Sequence, residues 1–257
     1  MNRAERKRQV REDERGLVHG IDPETSDAGS TVAMTRQMFL LFEKAKRAGS
    51  IEAPIEFFYD KVAETLAAKP IQVACARGCS HCCNGWVSAT APEILYMASR
   101  VRERGAALAV RLEAAHTATH AFTMAERPEH QHPCPILESN ACSLYDARPF
   151  MCRMAASVDV NACMKVIRLL EPGTIPVPMR HIKARGRYEL AITVALVQAG
   201  LPHRYYDLTA GLACVLSSKD AEAAWLSGEE IFAGVRTDPT DVMTRSDARF
   251  IRSRAFG

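Results

Sequence analysis

Cysteine spacing limits what this chain can fold into more than any other feature of its sequence. Seven of its nine cysteines fall into two blocks, one of which holds four thiols within nine residues. The seven are Cys75, Cys79, Cys82, Cys83, Cys134, Cys142 and Cys152. A thiolate is a soft ligand, which selects zinc, copper(I) or iron–sulfur clusters over magnesium or calcium. The pattern therefore predicts a fold that gathers both blocks around a metal.

The first block, Cys75-Ala-Arg-Gly-Cys79-Ser-His-Cys82-Cys83, can bring its sulfurs together in either of two conformations. In a helix, the spacing i, i+4, i+7, i+8 would place all four thiols on one face. In a loop, Cys79-x-x-Cys82 would form the tight turn that commonly chelates a metal. Neighbouring residues rarely bind one ion with good geometry, so Cys82 or Cys83 is expected to bind a second metal, to bridge, or to lie beside the ligands.

The spacing of the second block helps to distinguish a zinc site from an iron–sulfur cluster. Zinc ribbons usually carry two Cys-x-x-Cys knuckles on hairpins, and this chain has one such spacing. Cys134, Cys142 and Cys152 are separated by seven and nine residues, which fits a cluster whose ligands come from distant loops. The spacings favour a cysteine-ligated iron–sulfur cluster, with zinc in closed four-sulfur sites as the alternative.

Two arginines beside the last cysteines are candidates for contacts with the bound group. A cluster held by four thiolates carries net negative charge, which Arg148 or Arg153 would offset by hydrogen bonds to sulfur. The alternative is that an arginine pairs with Asp146 and holds the turn. The sequence is compatible with both interpretations.

The remaining candidate ligands have simpler interpretations. Cys214 lies in an apolar run and is predicted to be a buried core residue. The sequence does not distinguish whether Cys163 is a metal ligand or a core residue. His116 and His120 have the i, i+4 spacing of a metal-binding pair, but no glutamate follows the first, so a solvated helix face is preferred. His81 is interpreted as a turn residue.

Together the two blocks resemble those of a known family. Cys-x3-Cys-x2-Cys-Cys is followed by Cys-Pro-x-Leu and then by Cys-x-x-Tyr-x-x-Arg-Pro-x-x-Cys-Arg. This arrangement, from Cys75 to Arg153, resembles the YkgJ-like cysteine-cluster proteins, whose domain is described as zinc- or iron-chelating. The resemblance covers about a third of the chain. It implies that the seven cysteines of the two blocks are metal-site residues.

An enzyme of the same broad group, flagellin lysine N-methylase, uses S-adenosylmethionine and an iron–sulfur cluster. The chain is distantly similar to it, but is shorter and has no recognisable equivalent of its additional regions. Cys75-x3-Cys79-x2-Cys82 also has the spacing of the radical S-adenosylmethionine enzymes. Those enzymes continue into a barrel of alternating strands and helices, whereas the segments after Cys83 predict helix following helix. S-adenosylmethionine is therefore kept as a cofactor of the alternative function only.

Apolar residues recur at helical spacing through most of the chain, so a mainly α fold is predicted. The helical stripes cover residues 34–45, 55–66, 108–122 and 188–199, with shorter segments near 207–216 and 218–228. Thr90 is expected to cap a further helix, with Pro92 in its first turn and Glu93 near the positive end of its dipole. Pro70 is expected to end the second helix.

Three parts of the chain are expected. Residues 1–30 are polar and mixed in charge, and should form a flexible arm. Residues 31–170 should form the metal-binding domain, a compact helical domain with an irregular, loop-rich cysteine site. Residues 171–257 begin with a proline-containing linker and continue as a helical region packed on the same domain. The arginines of 245–254 are interpreted as part of a solvated tail.

The amino end and the net charge indicate whether the protein is secreted, membrane-bound or nucleic-acid-binding. The first residues have no apolar segment of the kind found in secretory signal peptides, and no apolar run is long enough to span a bilayer. A cytoplasmic protein without membrane association is expected, in which thiols stay reduced. The net charge of +3 gives no support for a nucleic-acid partner.

Two classes of function follow from these observations. In the first, the protein holds an iron–sulfur cluster or zinc in a structural, redox or metal-handling role. In the second, the cluster serves an enzyme that modifies protein or RNA, such as a methylase using S-adenosylmethionine. An open ligand position would favour the enzyme, because closed four-cysteine sites leave no place for a substrate. The protein partner or substrate stays unidentified.

Overall fold

The computed structural model describes residues 26–68, 71–240 and 242–257, and it confirms the mainly α fold. The helices in these residues are α1 (Ser26–Ala48), α2 (Glu52–Ala68), α3 (Ala91–Arg104), α4 (Ala106–Thr119), α5 (Phe150–Met154), α6 (Val160–Cys163), α7 (Met179–Gln198), α8 (Leu208–Leu216), α9 (Ala221–Leu226) and α10 (Ser246–Phe256). The strands are β1 (Ser88–Thr90), β2 (Leu137–Glu138), β3 (Ala141–Cys142) and β4 (Tyr205–Asp207). They form two antiparallel pairs, β1–β4 and β2–β3.

Helices α1 and α7 pack along one another and form the centre of the fold. The stripe predicted on the first of them faces inward: Met38 and Phe42 are fully buried, and Phe42 packs edge-on against Trp225 of α9. Helix α7 is apolar on two sides, and Ile192 and Val194 are accordingly both fully buried. None of the described helices is long and apolar enough to cross a membrane.

Two boundaries expected from the sequence, the end of the N-terminal arm and the end of the second helix, lie next to residues that the structure does not describe. Helix α1 begins at Ser26, so it includes the last residues of the segment expected to be an arm. The rest of that segment lies outside the described residues. Pro70, which was expected to end the second helix, also lies outside them, and α2 ends at Ala68.

A buried carboxylate joins the helical core to the cysteine region. Thr90 precedes α3 as predicted, and its backbone N–H and its hydroxyl donate to Glu93 Oε2 at 3.0 and 2.8 Å. Glu93 is 1% exposed, and Oε1 accepts from the Phe150 N–H at 2.6 Å and from the Tyr59 hydroxyl at 3.3 Å. Glu93 thereby fixes the start of α5, the helix that carries Cys152.

The carboxyl end of the chain differs from the solvated tail that was expected. Residues Ser246–Phe256 form α10, which packs against α1 and α7 and buries Ala248, Ile251 and Ala255. Their spacing of i, i+3, i+7 is a helical stripe. Two of its three members are alanines, so the stripe is a weak signal among the surrounding arginines.

Candidate metal centre

The first cysteine block is a loop and not a helix. The chain passes Cys75 without regular structure, turns at Gly78, where φ is +97°, and enters a single 3-10 turn over His81–Asn84. Glycine adopts that φ without strain, which explains its place between the first two cysteines. Cys79 and Cys83 each donate a backbone N–H to the carbonyl three residues earlier, at 3.0 and 3.1 Å. Of the two expected conformations, the chelating turn is the one present.

A hairpin and a short helix carry the second block. Cys134 is tied to the first block, because its backbone N–H donates to the Cys83 carbonyl oxygen at 2.7 Å. Strand β3 then brings Cys142 back beside β2 across a two-residue turn. Ser139 and Asn140 of this turn both have left-handed φ, as type I′ hairpins require. Helix α5 carries the third cysteine, so the site is irregular and loop-rich as predicted.

Six of the seven predicted metal-site cysteines line one space of about 340 Å³, the metal cavity. The six are Cys79, Cys82, Cys83, Cys134, Cys142 and Cys152. Trp86, Met97 and Tyr145 add apolar and aromatic surface to its wall, and Arg148 adds positive charge. Cys75 lines a neighbouring space of about 450 Å³ instead, the second cavity.

Burial raises the pKa of the Cys134, Cys142 and Cys152 thiols on the wall of the metal cavity, which favours their protonated form. Burial raises the pKa of the Cys134 thiol to about 11 and raises the pKa of Cys152 well above its usual range. The thiols of Cys134, Cys82 and Cys142 raise the Cys152 pKa further, so they lie within electrostatic reach of it. The Arg148 guanidinium opposes this rise. Because the thiolate is the ligand form, metal binding must displace protons from these sulfurs.

The sulfurs surround a space and are not in contact with a common centre. Among the described residues, no three Cys, His, Asp or Glu side chains converge closely enough to hold a metal ion as they stand. Binding of a metal ion here would require these side chains to rotate into the cavity. The donor set itself, thiols with a nearby guanidinium, has the chemistry that soft metals and iron–sulfur clusters require.

The two candidate arginines have different surroundings. The Arg148 guanidinium carbon lies 3.8 Å from the Tyr145 ring centroid on the cavity wall, and its Nε has no hydrogen-bond partner in the described part of the chain. The Arg153 guanidinium carbon lies 3.8 Å from the Tyr59 ring centroid. Arg153 donates to the backbone carbonyls of Arg148, at 2.8 Å, and of Asp146. Arg148 thus faces the cavity, whereas Arg153 holds the turn before the last cysteine.

The two cysteines outside the blocks also differ. Cys163 is buried and lines the second cavity together with Cys75. Cys214 lines neither cavity and is half-buried against the hydrophobic core, where its thiol donates to the Ile231 carbonyl oxygen at 3.5 Å. The core interpretation of Cys214 therefore agrees with its surroundings.

The histidines singled out from the sequence lie apart from the metal cavity. The rings of His116 and His120 are 5.8 Å apart, and both line a separate space that contains Asp207 and no cysteine. His120 is exposed as expected, but His116 is half-buried. His81 begins the 3-10 turn, as a turn residue should, and also lines the second cavity.

Two residues near the cysteines carry roles that sequence reasoning missed. The Thr-x-x-Glu pattern identifies Glu93 as a capping residue, but gives no sign of its hydrogen bond to Phe150. His181, on the first turn of α7, lines the second cavity. No sequence signal marks it, because it lies beyond a linker and in a different element from the cysteine blocks.

Comparison with known proteins bears on this region alone. Residues 74–168 match a family model described as "CxxCxxCC: Putative zinc- or iron-chelating domain". These residues are therefore similar to a zinc- or iron-chelating domain. The match confirms the resemblance seen in the cysteine spacing, and the matched region extends past Cys163 to the end of the π-helical turn Met164–Arg168. No curated protein and no solved structure matches the chain.

Cys214→Ala is expected to leave the metal content of the protein unchanged. The thiol donates to the Ile231 carbonyl oxygen, in the turn region after α9, and Cys214 lines neither cavity. Metal analysis of the variant beside the wild type checks this. Loss of one metal equivalent would contradict the core assignment.

Proposed function

We propose that residues 74–168 hold an iron–sulfur cluster in the metal cavity. The observation that carries the proposal is that six cysteines surround one space of about 340 Å³. A zinc ion lies about 2.3 Å from each of its sulfurs and needs little empty volume between them. A cluster of iron and sulfide, in contrast, occupies the space between its cysteine ligands.

Four of the six cysteines suit the ligand role best. The proposed ligands are Cys82, Cys134, Cys142 and Cys152. They come from the 3-10 turn, the hairpin region and α5, so their convergence depends on the folded domain. Cys83 supports them, because its carbonyl accepts from the Cys134 N–H and so ties the turn that carries Cys82 to Cys134. Reduced thiols in this number fit a cytoplasmic protein.

The proposed role is redox or catalytic. A bound cluster supplies one-electron chemistry whose potential depends on charge and hydrogen bonding around it. Arg148 brings a positive charge to the cavity wall, and its Nε is available to donate to a sulfur. Tyr145 stacks on that guanidinium and orients it.

Arg148→Met is expected to make the reduction potential of the cluster more negative. The reduced cluster carries one more negative charge than the oxidised one, so a nearby cation stabilises the reduced state. Loss of about 1 kcal/mol of this attraction corresponds to roughly 40 mV for one electron. A spectroelectrochemical titration measures the shift, with the exposed Arg252→Met on α10 as the matched control. Equal potentials in both variants would show that Arg148 does not act on the cluster.

The second candidate function is an enzyme that modifies protein or RNA with S-adenosylmethionine. The observation in its favour is that the metal cavity continues past the thiols to a polar wall, where the Ser88 hydroxyl donates to Asp238 Oδ2 at 3.3 Å. In this second function, S-adenosylmethionine would bind against this wall, beside the cluster. Equilibrium dialysis of the reconstituted protein with S-adenosylmethionine decides between the two: binding at micromolar concentration favours the enzyme, and absence of binding favours the redox role.

Anaerobic reconstitution with ferrous iron and sulfide tests the cluster itself. Visible absorbance should develop in proportion to the iron and sulfide bound, and should saturate at about four of each per chain for a four-iron cluster. In a parallel experiment, the protein is loaded with zinc before iron and sulfide are added, so that the two metals compete for the same site. A protein that binds zinc tightly and takes up no iron and sulfide would contradict the proposal.

A further inference from the structure

Exposed apolar side chains are concentrated in one segment of the chain. Of the eleven large apolar side chains that are exposed among the described residues, seven come from residues 158–179. These seven form the apolar patch, and each is 37–57% exposed: Val158, Val160, Met164, Leu169, Leu170, Val177 and Met179. Scattered exposed apolar residues are ordinary, whereas a concentration of them marks a surface that another molecule covers.

Backbone contacts hold the two halves of the apolar patch together. The Val158 N–H donates to the Pro176 carbonyl oxygen at 3.1 Å, which places Val158 beside Val177. A Cβ atom on Gly173 would lie 3.3 Å from Val166 Cγ2, so the linker passes close to the π-helical turn. The linker and the segment before it therefore form one surface.

The apolar patch continues into the second cavity. Val177 belongs to the patch and also lines this cavity, whose volume is about 450 Å³. Much of the remaining wall is apolar and includes Ile167, Ile175 and Ile182. A concave apolar site beside an exposed apolar surface is the form that accepts an anchoring side chain of a protein partner.

Positive charge borders the apolar patch. Residues 158–187 contain six Lys and Arg but two Asp and Glu, so this segment carries a net charge of +4, compared with +3 for the whole chain. Lys165, Arg168 and Lys183 are exposed, and they form no ion pair with any residue that the structure describes. Arg185 differs, because it pairs with Glu189 at 2.9 Å. Unpaired cations beside an apolar surface attract a partner that supplies carboxylates.

The composition of the segment separates a protein partner from other occupants. Residues 158–187 contain no Phe, Trp or Tyr. Surfaces that enter a membrane interface usually present aromatic side chains on an amphipathic helix, and surfaces for single-stranded nucleic acid present aromatic rings for stacking. A second copy of the chain would bring the same unpaired cations to the interface. An acidic protein segment with apolar side chains meets both the charge and the groove.

We propose that the apolar patch docks an acidic segment of a partner protein. The partner inserts apolar side chains into the second cavity and places its carboxylates beside Lys165, Arg168 and Lys183. The proposal goes beyond the proposed function and does not depend on which metal the metal cavity holds. Because Cys79 and Cys82 line both cavities, the docked partner lies across one wall from the metal cavity.

Fluorescence anisotropy with a labelled synthetic peptide tests the docking surface. The probe has two adjacent leucines between runs of glutamate. It should bind the full-length protein with a dissociation constant on the order of 10 μM, and the affinity should fall as the salt concentration is raised. Matched peptides with serine in place of the leucines, or lysine in place of the glutamates, should each bind at least about tenfold more weakly.

Leu169→Asp should weaken binding of the acidic probe by about tenfold or more, because it removes an apolar contact and adds a negative charge. Leu169 is exposed, so this variant should keep the circular dichroism spectrum of the wild type. The matched control is Val110→Asp, the same kind of change at an exposed apolar residue of α4 outside the patch. It should bind the probe as the wild type does.

Absence of probe binding by the wild type, or equal affinities of Leu169→Asp and Val110→Asp, would overturn the proposal. Two other results without probe binding would also overturn it and would name the occupant. A solution mass of two chains that falls to one in Leu169→Asp would assign the patch to a second copy. Cosedimentation with anionic phospholipid vesicles, lost in Leu169→Asp, would assign it to a membrane.

Iron and sulfide analysis of the same samples separates this proposal from the proposed function. Probe binding by protein that takes up no iron and sulfide would support the docking surface and contradict the cluster. Full iron and sulfide content without probe binding would contradict the docking surface alone.

Discussion

Cys152→Ala is expected to abolish binding of the proposed iron–sulfur cluster. Cys152 lines the metal cavity from α5, and the thiols of Cys134, Cys82 and Cys142 lie within electrostatic reach of it. Alanine leaves the cluster with three of its four proposed thiolates. Changes in the outer contacts of metal ligands alone cost about 10–100-fold in affinity. Loss of a ligand should therefore lower the iron and sulfide content after anaerobic reconstitution by about tenfold or more.

The control for this experiment is Cys214→Ala, which makes the same substitution at a thiol outside both cavities. Circular dichroism of both metal-free variants should show the helical content of the wild type, because Cys→Ala removes one small side-chain atom. Full iron and sulfide occupancy in Cys152→Ala, with the fold intact, would show that this residue is not a ligand.

Glu93→Ala is expected to lower the free energy of unfolding by about 3 kcal/mol, since it leaves buried donors without their acceptor. The donors that lose it are the N–H groups of Thr90 and Phe150 and the hydroxyls of Thr90 and Tyr59. The loss is partly offset, because burial raises the pKa of Glu93 and the carboxylate is itself costly to enclose. Urea unfolding of the metal-free protein measures the effect.

Two further variants make the Glu93 experiment specific. Glu113→Ala makes the same substitution on the exposed face of α4 and should change the stability by no more than about 0.5 kcal/mol. Glu93→Gln keeps one carbonyl acceptor and the side-chain volume, so its decrease in the free energy of unfolding should lie between those of Glu93→Ala and Glu113→Ala.

Glu93→Ala should also bind metal more weakly at the metal cavity. Without its hydrogen bond to Glu93, the start of α5 loosens. Wild-type stability of Glu93→Ala would contradict the role given to this carboxylate.

The parts of the fold that follow from local sequence could be predicted. The stripe containing Met38 and Phe42 produces a helix with a buried face, and the Thr90–Glu93 pattern produces a capped helix start. The gathering of six cysteines around one cavity follows from their clustering in two short blocks. A hydrogen bond from the Cys134 N–H to the Cys83 carbonyl oxygen joins the two blocks.

The parts that depend on long-range packing could not be predicted. Spacing alone does not separate a helix from a loop at the first block, because the thiols can converge in both; the turn at Gly78 makes the difference. Cys75 lies outside the metal cavity because its Sγ accepts from the Ser157 N–H, 82 residues away, and the Ala74 N–H donates to the Ser157 carbonyl oxygen. His181 reaches the second cavity on a helix that is positioned by its packing on α1. The short stripe of α10 contains too few large apolar residues to indicate a buried helix from the sequence alone.

Iron, zinc and acid-labile sulfide analysis, with a visible spectrum, on protein purified without oxygen tests the central claim most directly. Iron and sulfide in equal amounts, about four of each per chain, with brown absorbance that bleaches on reduction, is the predicted result for a cluster in the metal cavity. Colourless protein with stoichiometric zinc and no sulfide would contradict it. The domain would then be a zinc-chelating one, with a structural role for its cysteines.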